Sequence, residues 1–226
     1  MDFQPDLLLW GITLEAFPLD KQLSSPIVSN NAARVQELIA RYDLPFDPQD
    51  PALLQPNWWE RTLIGQRRAL ADLLRLQLYG VLWSATGIDQ VYPANYTPAL
   101  TDYEADASFH DQAGPRLDAA SLAFPVLEAG IAAAGEVPLI LFNEPMLVSS
   151  GENSDLRYNF FYPRWAYDQW RAMMETKVAA NGWTYLDLWD LVPAGEFTNS
   201  AIHMTPAGET LLANEIQEAI EPYLCP

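Results

Sequence analysis

Val137-Pro138-Leu139-Ile140-Leu141-Phe142 is apolar from end to end, without the polar alternation of a strand that keeps one wet face. A strand of this kind sits in a parallel sheet covered by helices on both faces. Leu7-Leu8-Leu9-Trp10-Gly11-Ile12 repeats the pattern near the start of the chain, and Trp183-Thr184-Tyr185-Leu186-Asp187-Leu188-Trp189 supplies a third stretch. Around them, apolar residues recur at three-to-four spacing over 31–42, 58–85, 116–134, 164–180 and 206–223. This spacing predicts five helices, the third kinked or split at Pro125. Strands alternating with helices predict an α/β layered fold whose ligand site lies beyond the carboxyl ends of the strands. Residues 43–55 and 92–115 are rich in Pro, Asp and Ala and read as long surface excursions. With no internal repeat and no linker, a single domain over residues 1–226 is expected. Three or four strands are few for a covered sheet in a chain of 226 residues, and the first begins close to Met1. One or more N-terminal strands are therefore expected to be missing.

Composition narrows the partners. Thirty Asp and Glu against 12 Lys and Arg give a formal charge of −18, which repels phosphate backbones and anionic membrane surfaces. Nucleic acid is not an expected partner. Half of the residues are apolar, enough for a real core. A single cysteine, Cys225, builds neither a disulfide nor a thiolate metal site within the chain, and leaves the compartment open. Met1-Asp2-Phe3-Gln4-Pro5-Asp6 is acidic where a secretory signal is basic. The longest apolar run, 76–88, contains Gln77 and is too short to span a bilayer, so the segment reads as soluble, without membrane insertion.

The polar residues of most interest lie in Phe197-Thr198-Asn199-Ser200-Ala201-Ile202-His203-Met204-Thr205-Pro206-Ala207-Gly208, between the last apolar strand and the last helix. Thr205 suits the cap and Pro206 the first turn of that helix, with Leu212, Ile216, Ala219 and Ile220 as its buried face. His203 thus falls in a loop fixed by rigid elements, well placed for a general base. The competing account is a histidine that merely packs.

Tyr185-Leu186-Asp187-Leu188-Trp189, Phe197-Thr198-Asn199 and His203-Met204-Thr205-Pro206-Ala207-Gly208 together resemble the SGNH/GDSL hydrolase family of serine esterases and acyl-transfer enzymes. The resemblance is most specific over the last forty-odd residues. It implies a three-layer, flavodoxin-like fold, and hydrolysis or transfer of an ester-linked acyl group without a cofactor or a metal. It also implies that His203 is catalytic and that an Asp three or four residues before it orients the ring. This chain holds Asn199 and Ser200 there, both neutral. The family's nucleophile lies in Gly-Asp-Ser, which the chain lacks. The family's Gly-x-Asn-Asp loop, whose Asn binds the oxyanion, is here Gly11-Ile12-Thr13-Leu14-Glu15, leaving Gly11 and Thr13 as oxyanion or substrate contacts. Ser149 and Ser150 follow the second apolar strand and read as shaping a turn. Ser84 sits in a helical stretch, where a hydroxyl bonds back to the backbone.

Phe142-Asn143-Glu144-Pro145 looks like the Asn-Glu-Pro acid/base motif of barrel-fold glycosidases. That mechanism needs a second carboxylate about 5 Å away and eight strand-helix units over ~250 residues, which this chain does not offer. Asn143 and Glu144 are instead expected on the rim of the site, with Glu144 alternatively paired to Arg157 or Arg164. The aromatic segment 157–167, with Arg164 within it, reads as a packed lid or as a wall that stacks on a sugar. His110 is read as a loop residue beside Asp111. A small-molecule or carbohydrate ester is the expected substrate, and a non-catalytic cleft that binds such a ligand is the alternative.

Overall fold

The computed structural model describes residues 5–54, 57–86, 99 and 101–224. Cys225, the end of the 76–88 run and the first part of the 92–115 excursion lie outside them. In chain order the elements are β1 (Leu8–Ile12), α1 (Pro26–Asn30), α2 (Ala32–Tyr42), α3 (Arg67–Thr86), β2 (Ser108–Phe109), β3 (Gln112–Ala113), α4 (Phe124–Ala134), β4 (Leu139–Asn143), α5 (Arg164–Asn181), β5 (Thr184–Asp187) and α6 (Pro206–Leu224).

The three apolar stretches form one parallel sheet in the order β1-β4-β5, flanked by helices. Ile140 and Leu141 point to opposite faces of β4, as successive strand residues must, and both are fully buried. This is why β4 reads as an unbroken apolar run. Register places Ile12 opposite Asn143, and Asn143 opposite Asp187. The three strands therefore end level, and their exit loops share one end of the sheet. Trp10 of β1 lies against Gly130 of α4, where a side chain would find no room. From α5, Tyr167, Trp170 and Met174 are fully buried and join Ile12, Leu141, Phe17 and Phe124 in the main core.

Several boundaries differ from the sequence expectation. Pro125 neither kinks nor splits a helix; it occupies the first turn of α4, where its missing N–H has no intrahelical partner to lose. Residues before it form a short turn at Ala119–Ser121 capped by the Asp118 carboxylate. The helix expected from residue 58 begins at Arg67. Ahead of it, Asn57 and Glu60 exchange backbone-to-side-chain hydrogen bonds of 2.8 and 3.0 Å. Thr205 does cap α6, accepting from Gly208 N–H at 3.3 Å. The predicted buried face of α6, Leu212, Ile216, Ala219 and Ile220, is only half-buried.

The chain groups into two compact units, Met1–Gln22 with Thr97–Pro226, and Leu23–Tyr96. The first holds the sheet. The second has a small core of Ala32, Ile39 and Leu53, and carries α3.

Candidate functional site

The level strand ends bring Thr13, Asn143, Glu144 and Asp187 to one end of the sheet. Ile12 C=O accepts from Glu144 N–H at 3.1 Å, and Asn143 C=O from Leu188 N–H at 3.2 Å, so the ladders continue one step past the strands. Gly11, Thr13, Asn143 and Glu144 are thereby brought together. The Glu144 carboxylate lies against Gly11, where any side chain would collide with it. Among the described residues Glu144 forms no ion pair with Arg157 or Arg164. Loss of water raises its pKa above the usual glutamate value, so it holds its proton to higher pH than an exposed carboxyl.

Thr13 has two local tasks. Its hydroxyl accepts from Glu15 N–H at 3.2 Å, capping the turn Leu14–Ala16, and shares a hydrogen bond with the Tyr162 hydroxyl.

Asn143, expected to contact substrate, is wholly buried. Its amide donates to Asp187 Oδ1 at 2.8 Å and its carbonyl oxygen accepts from the Tyr167 hydroxyl at 3.0 Å. It serves as the floor of the site because both ends of its amide are committed inward. Asp187 also receives Arg171 Nε at 3.0 Å and a second guanidinium nitrogen of the same side chain, with the Tyr185 hydroxyl at 3.4 Å. Burial opposes the Arg171 charge, but the bond to Asp187, the charge of Asp187 and the neighbouring Tyr167 and Glu175 together outweigh it and raise the Arg171 pKa. The guanidinium also lies 4.6 Å from the centre of the Trp189 ring.

The sequence reading missed this Asp187-Arg171-Tyr167 network. A signal was present: Arg164 and Arg171 are seven apart on one helix, hence on one face, and Asp187 ends the strand that follows it. Arg164 itself does not reach the strand ends. It donates to Ser154 C=O at 2.5 Å and lies 4.1 Å from the Tyr158 ring centre. The surrounding aromatic segment is mostly core, with Tyr158, Tyr162 and Tyr167 buried and Phe160 exposed.

Asn199 and His203 share a second loop. Thr198 N–H donates to His203 C=O at 2.8 Å, which turns the chain back on itself between them. Leu147 N–H donates to Ala201 C=O at 2.9 Å, and Met146 N–H to Trp189 C=O at 3.0 Å. The first of these bonds ties the Asn199–His203 loop to the segment leaving β4, four residues beyond Asn143, and the second ties that segment to the chain leaving β5. Both side chains are exposed, and among the described residues no hydrogen bond joins them. Ser149 is buried, with its hydroxyl bonded to Thr101 C=O and to Gly151 N–H, as a turn-shaping serine should be. His110 turns away from Asp111 to place Nε2 3.3 Å from Glu15 Oε2.

The tyrosines around this network carry a pH dependence. Burial pushes Tyr158 and Tyr162 up to about 12 and also raises Tyr167 and Tyr185. An unfolded chain releases these protons near pH 10, whereas the native state retains them, so their stabilising contribution is complete below pH ~10 and is lost as pH climbs through 12. The thermal midpoint should fall steeply over that window. Phenolate absorbance should show these four of the 10 tyrosines ionising only with unfolding. Ten phenols titrating together near pH ~10 in folded protein would contradict the burial described.

No protein-family model, curated protein or solved structure matches the chain.

Proposed function

We propose that this chain forms the base-bearing part of a flavodoxin-like, SGNH-like domain that hydrolyses or transfers an ester-linked acyl group, on a small molecule or a carbohydrate. His203 is the general base, Asn199 its neutral partner, and Gly11, Thr13 and Glu144 form the rim that receives the ester. The observation that supports this reading most directly is the level ending of three parallel strands, with the His203 loop tied to the exit of β4 at Leu147. A base there can take the proton of a water or an acceptor hydroxyl as it attacks the ester carbonyl. Glu144, kept neutral to higher pH by desolvation, can donate to the oxygen on which charge develops. Asn143 and the Asp187-Arg171 pair hold this rim from below, as positioning residues.

A second reading, a cleft that binds the same class of ligand without turnover, draws on the absence of a Gly-Asp-Ser and on the committed hydroxyl of Ser149. Hydrolysis of p-nitrophenyl acetate by the full chain separates the two. His203→Ala should lower the rate by about 100-fold, the low end of what a positioned base contributes, while His110→Ala retains it. Equal rates in wild type and His203→Ala would remove the catalytic reading and leave binding.

A further inference from the structure

We propose that α3 is a membrane-surface helix, which lies in the headgroup region of a bilayer containing anionic lipid. Among its 20 residues, Arg67–Thr86, none is buried. Leu70, Leu74, Leu78, Val81 and Leu82 follow one another at three-to-four spacing on one side, with Val81 68% exposed. Trp58 on the turn ahead of the helix is 79% exposed, and Tyr79 and Trp83 stack on each other at 6.2 Å between ring centres. Water-facing surface seldom carries so continuous an apolar stretch, and a helix of this composition in a folded chain is ordinarily covered.

Charge selects the cover. Residues 57–86 hold Arg61, Arg67, Arg68 and Arg75, four of the 12 basic residues of the chain, against Glu60 and Asp72, two of its 30 acidic ones. A strongly acidic chain thus keeps a cationic segment where its apolar surface is exposed. The net charge of −18 repels an anionic surface from a distance, but that repulsion is screened beyond a Debye length of about 10 Å, inside which the local arginines decide. Arg68 and Arg75 are seven apart and border the apolar stripe, the placement from which long cationic side chains reach headgroups. From Leu76 onward the described helix has no charged residue, and the uncharged run of 76–88 has the length of an interfacial segment, not of a span. No described helix is long and apolar enough to cross a membrane. A second copy of the chain is a poorer cover: parallel helices paired through the stripe would bring the same arginines together.

The test is co-sedimentation of the full chain with vesicles of phosphatidylcholine alone or mixed with phosphatidylglycerol, followed by tryptophan fluorescence. Wild type should pellet with the anionic vesicles, with a blue shift. Leu78→Glu/Val81→Glu should lower the bound fraction about ten-fold or more, and Arg67→Gln/Arg68→Gln/Arg75→Gln should reduce anionic binding to the phosphatidylcholine level. These positions are exposed, so circular dichroism should stay unchanged, and the arginine variant leaves the apolar stripe intact as a check on folding. Wild type remaining in the supernatant with both vesicles would overturn the proposal. So would a soluble dimer that Leu78→Glu dissociates, because the helix would then be covered by a second copy.

Discussion

Asp187→Ala is expected to destabilise the fold by about 2 kcal/mol, because it leaves a buried amide donor unmade and breaks a half-buried charged pair. For a chain of this size that corresponds to a fall of roughly 4–8 °C in thermal midpoint. The substitution strips acceptors from several donors at once. The wholly buried Asn143 amide loses its partner at 2.8 Å, and the guanidinium of Arg171 keeps its charge without its counter-ion. Leaving buried donors unmade costs more than the bonds contribute when intact. The damage should also reach the rim, because Asn143 is one residue from Glu144 and carries the β4 ladder into the exit loops.

Two companion variants separate charge from shape. Asp187→Asn keeps the volume and one acceptor, so its loss should be smaller than that of the alanine. Adding Arg171→Met to Asp187→Leu should recover part of the loss, because an apolar pair of similar volume carries no unpaired charge. Urea denaturation of the four proteins gives the comparison. A change below ~1 kcal/mol for Asp187→Ala would mean that water, not the protein, satisfies Arg171 and Asn143.

How much of this is legible in the sequence depends on what each pattern records. The strands are legible because burial on both faces removes the polar alternation, and Ile140 and Leu141 are fully covered on opposite sides of β4. Pro125 was misplaced because a proline within a periodic stretch reads alike as a break and as a start. The difference lies in whether Asp118 and the turn after it end the chain segment before the helix begins. The stretch 58–85 reads as one more helix of the set, because hydrophobic periodicity reports what a helix offers, not what covers it. Asn143 shows the same limit for polar groups: its position at a strand end marks it for the site, but only the packing of Tyr167 and Asp187 turns its amide inward. In the His203 loop, sequence supplies the proposed base and its proposed neutral partner, while the tie between Leu147 and Ala201, a contact across more than fifty residues, depends on the sheet.

Asn199→Asp is expected to raise esterase turnover on p-nitrophenyl acetate by up to about five-fold. The gain follows from putting a carboxylate four residues before His203, in the loop closed by the Thr198 N–H to His203 C=O bond. A carboxylate fixes the tautomer that keeps the basic nitrogen free and stabilises the imidazolium formed during proton transfer; in serine proteases the opposite change, Asp to Asn, costs about 10,000-fold. The gain here should be smaller, since both side chains are exposed and an exposed ion pair contributes only about 0.2–1 kcal/mol. A rate equal to that of wild type would end the assignment of residue 199 as the partner of His203. The double variant Asn199→Asp/His203→Ala should lose the gain, because the carboxylate acts only through the imidazole. Stability should stay within about 0.5 kcal/mol of wild type, as for other exposed substitutions, so a change in rate can be read as a change in the site.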